Sequence, residues 1–100
     1  MTFKEWLKEA STNRSNDFKN LLPELSLRDG THLSVQASKF HMCEPKEKLM
    51  DGNYESVEVY THVNNIKELN KTCWNPTPYI YGYVPVEFME NLCMLHGGIE

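Results

Sequence analysis

The run from Tyr79 to Gly98, YIYGYVPVEFMENLCMLHGG, sets a strand, a stop and a helix in direct succession and so decides the class of fold. Tyr79, Tyr81 and Tyr83 alternate with Ile80, Gly82 and Val84, the two-residue period of a strand built from aromatic and β-branched residues. Gly82 has no side chain in mid-strand, which marks a bulge or a place where another backbone or a neighbouring ring lies close. Pro85 lacks an amide proton for the ladder and has a φ suited to the first turn of a helix. Glu87 adds a negative charge where the helix dipole is positive. The spacing therefore predicts a helix starting at Pro85 or Val86. Within it Phe88, Leu92 and Leu95 form one apolar row and Val86, Met89, Cys93 and His96 the adjacent one, with Glu87, Glu90 and Asn91 on the wet side. Gly97 is the natural left-handed cap.

Upstream, the same signals recur. In YESVEVY, Tyr54 to Tyr60, Glu55, Val57 and Val59 alternate with Tyr54, Ser56, Glu58 and Tyr60, a further strand. Leu33, Val35 and Ala37 alternate with Ser34, Gln36 and Ser38, and the Asp29-Gly30 turn joins them to Leu25 and Leu27 as a hairpin. Thr2 and Glu5 have capping-box spacing ahead of Phe3, Trp6, Leu7 and Ala10, so a first helix is expected from Phe3 to Ala10. A short helix is expected from Asp17 to Leu22, ended by Pro23, and a helical turn or two from Asn65 to Lys71 with Ile66 and Leu69 as its apolar pair. The charged stretch His41 to Asn53 reads as a mobile loop. Trp74 to Pro78 reads as irregular, because the residue before each proline is pushed extended.

The sum is an α+β fold: a three- to four-stranded, mainly antiparallel sheet packed by the C-terminal helix, with a short N-terminal helix beside it. One hundred residues support one core, so 1–100 is read as a single domain, 1–22 its helical N-terminal segment and 24–98 its sheet and C-terminal helix.

Fourteen acidic residues against ten basic ones give a formal charge of −4, which argues against direct nucleic-acid binding and suits a partner with a basic surface. Cysteines at 43, 73 and 93 are odd in number and far apart, which fits reduced thiols in a cytoplasm. No apolar run approaches a membrane span, and Met1 to Ala10 carries lysines and glutamates where a signal peptide has an apolar core. His41-x-Cys43 puts two zinc-type ligands close together, but His62, Cys73, Cys93 and His96 supply no CxxC or HxxxH partner spacing, so no metal is expected. Cys43 with His62 or His96 lacks the orienting group and oxyanion site of a nucleophilic pair. Gly97-Gly98 lies at the negative end of a helix dipole, which repels phosphate. No catalytic residue and no cofactor are expected.

What is left over is an acidic and aromatic surplus: Glu44, Glu47, Asp51, Glu55 and Glu58, with Tyr54, Tyr60, Trp74, Tyr79, Tyr81 and Tyr83. The carboxylates read equally as a solvated strand face and a charged loop. The rings read as a partner hot spot, as a stacking platform for a nucleotide, or as cross-strand cover for the sheet that buries against Trp6.

The blocks VQASKFHMCEPK (Val35 to Lys46), YESVEV (Tyr54 to Val59) and YGYVPVEFMENLCMLHGG (Tyr81 to Gly98) together resemble a family of small bacteriophage and prophage proteins. Its members carry, in this order, a Gln-Ala-Ser strand, a Cys-x-Pro-Arg loop, a Val-Glu-Val strand and a YGYVPVE helix start ending in His-Gly-Gly. Lys46 stands here where many relatives have arginine, and the N-terminal region falls outside the resemblance. It implies a phage origin, action in the bacterial cytoplasm and, by the habit of small acidic phage proteins, inhibition of a host enzyme or immune complex, anti-CRISPR proteins included. The partner so implied is a host protein such as an RNA-guided nuclease or another nucleic-acid enzyme, met by the surplus residues above. Two alternatives stay open: a sponge that sequesters a nucleotide messenger between the protomers of a homodimer, and a phage accessory protein with no inhibitory role.

Overall fold

The computed structural model describes residues 1–14, 21–62 and 66–100. Helix α1 (Phe3–Thr12) starts on the expected capping box: the Thr2 hydroxyl accepts the Glu5 N–H at 3.1 Å, and the Glu5 carboxylate accepts the Thr2 N–H at 2.8 Å. It buries Phe3, Leu7 and Ala10. Strands β1 (Leu25–Ser26) and β2 (His32–Gln36) form the hairpin, and β3 (Ser56–Tyr60) pairs with β2. Helix α2 (Lys67–Thr72), strand β4 (Trp74–Thr77), strand β5 (Ile80–Pro85) and helix α3 (Val86–Leu95) complete the chain. The sheet is antiparallel in the order β1-β2-β3-β5-β4, five strands with β1 and β4 as short edges.

Among the described residues the buried apolar side chains form one cluster. It takes Leu33 and Val35 from β2, Val57 and Val59 from β3, Tyr81 and Val84 from β5, Leu69 from α2, and the inner faces of α1 and α3. Fully burying a side chain such as Leu92 or Met89 stabilises the fold by roughly 1.5–3 kcal/mol. The two long helices are also joined by polar groups: Glu90 of α3 accepts the N–H groups of Phe3 and Lys4 at 3.0 and 2.9 Å. A carboxylate there satisfies two orphan donors of α1 and meets the positive end of its dipole.

Four expectations need correction or relocation. Trp74 to Thr77 is a strand, not irregular chain. Pro76 is tolerated because β4 is an edge, where the ladder bonds only on one side, and the Asn75 side-chain amide donates to the carbonyls of Thr77 and Ile80 in its place. Leu95 is exposed and Phe88 half-buried, since the inward row of α3 is Val86, Met89, Leu92 and Cys93, the alternative row a wide apolar stripe allows. The helix expected from Asp17 lies mostly outside the described residues, and Leu21 and Leu22 are not helical. The loop 41–53 is tied down along its length, as follows from Tyr54 below. No helix among the described residues is long and apolar enough to cross a membrane.

Candidate functional site

Strand β5 contains the feature that shapes the surface. Val57 pairs with Val84 but Val59 pairs with Tyr81, so Gly82 and Tyr83 together oppose Glu58 in a β-bulge. The extra residue resets the alternation: Tyr81 and Val84, three apart, both point inward, while Tyr83 stays outside. Tyr81 is 4% exposed, its hydroxyl donating to Asn70 of α2, and is thus removed from the expected contact set. Tyr83 adopts φ +53°, a left-handed conformation that costs a non-glycine residue about 1–2 kcal/mol. Its N–H turns away from the ladder to the Met42 carbonyl at 2.9 Å.

Gly82 supplies the close approach its position suggested. A Cβ there would lie 2.8 Å from the Trp74 ring and 3.0 Å from Met42 Sδ. Trp74 therefore lies over the bulge and stacks on Tyr83, ring centroids 5.9 Å apart and planes at 28°. Both rings remain open to solvent, 56% and 40% exposed.

Beside this stack, a groove of about 600 Å³ is lined by Cys43, Glu44, Pro45, Lys46, Glu55 and Tyr83. Glu44 and Glu55 are brought together because a short antiparallel bridge joins Glu44 to Ser56, with the Glu55 N–H donating to the Glu44 carbonyl at 2.8 Å. Cys43 is buried, which pushes its thiol up and away from a reactive thiolate. Glu58 is half-buried and accepts the Met42 N–H at 3.1 Å, holding the loop onto the outer face of the sheet. His41 bonds the Ser38 hydroxyl at 2.7 Å, and its burial lowers its affinity for a proton.

Tyr54 has the opposite fate. It is 6% exposed, and its hydroxyl accepts the Leu49 N–H at 2.8 Å and the Arg14 guanidinium at 3.2 Å while reaching the Glu47 carbonyl at 2.6 Å. Arg14, itself buried, also donates to the Ala37 carbonyl at 2.8 Å. This hub staples the loop 41–53 to the segments that follow α1 and β2, which gives Tyr54 a structural role. Glu47 and Asp51 are exposed on the loop it holds. Asp51 and Glu55 border a second groove of about 570 Å³, with Lys4 and Lys8 of α1 opposite.

Tyr60 and Tyr79 lie at the other end of the sheet. Tyr60 packs edge-on against His62, and Tyr79 forms the Pro78-Tyr79 turn between β4 and β5 with φ +68°. That end also gathers Glu24 with His32 and His62 at 3.3 and 3.1 Å. No group of His, Cys, Asp or Glu among the described residues has the arrangement of a metal site.

The expected surface thus divides. Glu44, Glu55, Trp74 and Tyr83 converge, with Glu47 on the same loop; Tyr60 and Tyr79 are remote; Tyr54 and Tyr81 are interior. Met42, Pro45 and Lys46 were not among the expected contact residues, although the Cys-x-Pro-Lys block that holds two of them had already stood out. Comparison with protein-family models, with curated proteins and with solved structures returns no match, so the functional reading rests on this geometry and on the resemblance carried by the three sequence blocks.

Proposed function

We propose that the chain acts by binding, as a phage-encoded inhibitor that covers the basic, nucleic-acid-binding surface of a host enzyme or immune complex. The observation that carries this reading is the exposed Trp74–Tyr83 stack beside the Glu44–Glu55 groove. Large rigid rings supply contact area at little entropic cost, and a left-handed Tyr83 is strain kept where the ring stands outward. Carboxylates around such an anchor suit the lysines and arginines that ordinarily hold phosphate, and a net charge of −4 speeds encounter with them.

Capture from a nuclease-treated bacterial lysate tests the proposal. The wild type is expected to retain a nucleic-acid enzyme that dissociates as salt rises and that DNA or RNA displaces. Trp74→Ala and the charge reversals Glu44→Lys, Glu47→Lys and Glu55→Lys are expected to lose it with little change in melting temperature. Equal retention by all the variants would overturn the assignment of this surface.

A further inference from the structure

His96 ends α3, and carboxylates meet both of its ring nitrogens. Nδ1 is 2.6 Å from Asp29 Oδ2 and Nε2 is 2.6 Å from Glu68 Oε1. A neutral imidazole has one N–H and one lone pair, so it can donate to one carboxylate only and must repel the other. With both carboxylates ionised, two contacts of this length call for a proton on each nitrogen. With the side chain only 17% exposed, solvent does little to screen the arrangement.

The acceptors around the ring favour the charged form. Asp29 and the Thr31 hydroxyl, 3.3 Å from Nδ1, come from the β1–β2 turn, and Glu68 comes from α2. Arg28 of the same turn packs its Cβ toward Gly97 and directs its guanidinium to the Ile99 carbonyl at 3.3 Å. On α3 itself the Cys93 thiol, pushed up to about 12 by burial, carries no charge. Burial of the ring opposes protonation, but the hydrogen bonds to Asp29 and Glu68 outweigh it and raise His96 above the ordinary histidine range. Asp29 is held below the usual carboxylate range by its hydrogen bonds from Thr31, so it keeps its charge well into acid.

The bridged elements lead to the exposed edge. Asn70 of α2 accepts from the Tyr81 hydroxyl, the Cys73 N–H closes the helix on the Leu69 carbonyl at 3.2 Å, and Trp74 follows at once. We propose that His96 is a proton-operated latch. As an imidazolium it ties α2 and the β1–β2 turn to the end of α3 and thereby fixes the edge strand that carries Trp74; on losing a proton it releases α2. A proton affinity higher in the folded state makes the latch fully effective below about pH 6.5, the unfolded histidine value, and it is lost as pH rises through the folded value. This regulates the surface proposed above, but the latch itself is read on the free protein.

Nitrogen-15 NMR of the full chain, without any partner, tests it. At neutral pH the His96 ring is expected to show two protonated nitrogens and to titrate above the ordinary histidine range. The Trp74 indole N–H and the α2 amides should follow the same midpoint, with α2 exchange accelerating roughly tenfold or more beyond base catalysis once the charged hydrogen bond is gone. Glu68→Gln keeps the ring and should lower that midpoint; His96→Gln should abolish the response of Trp74 in this range. A His96 midpoint at or below the ordinary value overturns the latch, and a high midpoint that Trp74 and α2 ignore overturns its link to the edge strand. Failure of partner capture would leave these titrations untouched, so the two proposals fail separately.

Discussion

Tyr54 and Tyr83 sit within a few residues of the same groove, Tyr54 6% exposed with its hydroxyl in a buried network and Tyr83 40% exposed with its ring against Trp74. Composition and alternation gave them the same reading. What separates them is where the backbone sends the ring and whether the hydroxyl finds partners once it arrives. Tyr54 precedes β3 in the register and its hydroxyl meets the Glu47 carbonyl at 2.6 Å, while Tyr83 belongs to a bulge that turns it outward. One is expected to matter to stability and not to binding, the other to binding and hardly to stability.

The largest effect should come from the interior. Tyr54→Phe keeps the ring but leaves the Leu49 N–H, the Glu47 carbonyl and part of the Arg14 guanidinium without that partner. A loss of about 2–3 kcal/mol in urea unfolding is expected, with an unchanged slope against denaturant. A loss under about 0.5 kcal/mol would erase the contrast, because the hub would then be ornamental.

Gly52 supports the same hub from the other side of the loop. Its φ is +67°, and a Cβ there would meet the Leu7 carbonyl oxygen at 2.7 Å and Lys8 Cα at 2.8 Å, both backbone atoms of α1 that cannot step aside cheaply. Gly52→Ala is therefore expected to cost more than about 1 kcal/mol and to raise amide exchange along residues 47–53. Gly82→Ala, whose clash is with the exposed Trp74 ring, should cost less and instead shift the Trp74 indole resonance.

How far these differences could be read in advance follows from sequence separation. The Thr2–Glu5 capping box and the start of α3 after Pro85 are local and stand where their residues predict, and the β1–β2 hairpin forms as expected but with Leu25 opposite Leu33, a register one residue away from that of a two-residue Asp29-Gly30 turn. Gly82 was legible as a site of close approach, though not that the intruder would be Trp74. The links from Arg14 to Tyr54, from Glu90 to the first amides of α1 and from His96 to Glu68 join distant positions and leave no periodic trace. The bulge was one of the two readings that Gly82 offered, but its effect on the tyrosine row was not followed through. One inserted residue converted the expected single row of Tyr79, Tyr81 and Tyr83 into a turn residue, a core residue and an exposed one.

The smallest expected effect is the most telling about Tyr83, because its sign is unusual. Tyr83→Ala and Tyr83→Gly both remove the ring and the stack on Trp74, so that loss cancels between them. In an ordinary strand the glycine variant would be the weaker of the two by about 0.5–1 kcal/mol, since glycine gives up more chain entropy on folding. At φ +53° an alanine still bears the left-handed strain and a glycine does not, which favours glycine by about 1 kcal/mol or more. The glycine variant should therefore unfold at higher urea than the alanine variant, and both should lose the captured enzyme alike. If alanine were the more stable, Tyr83 would hold an ordinary strand conformation, its outward ring would need no strain to keep it there, and the distinction from Tyr54 would rest on hydrogen-bond partners alone.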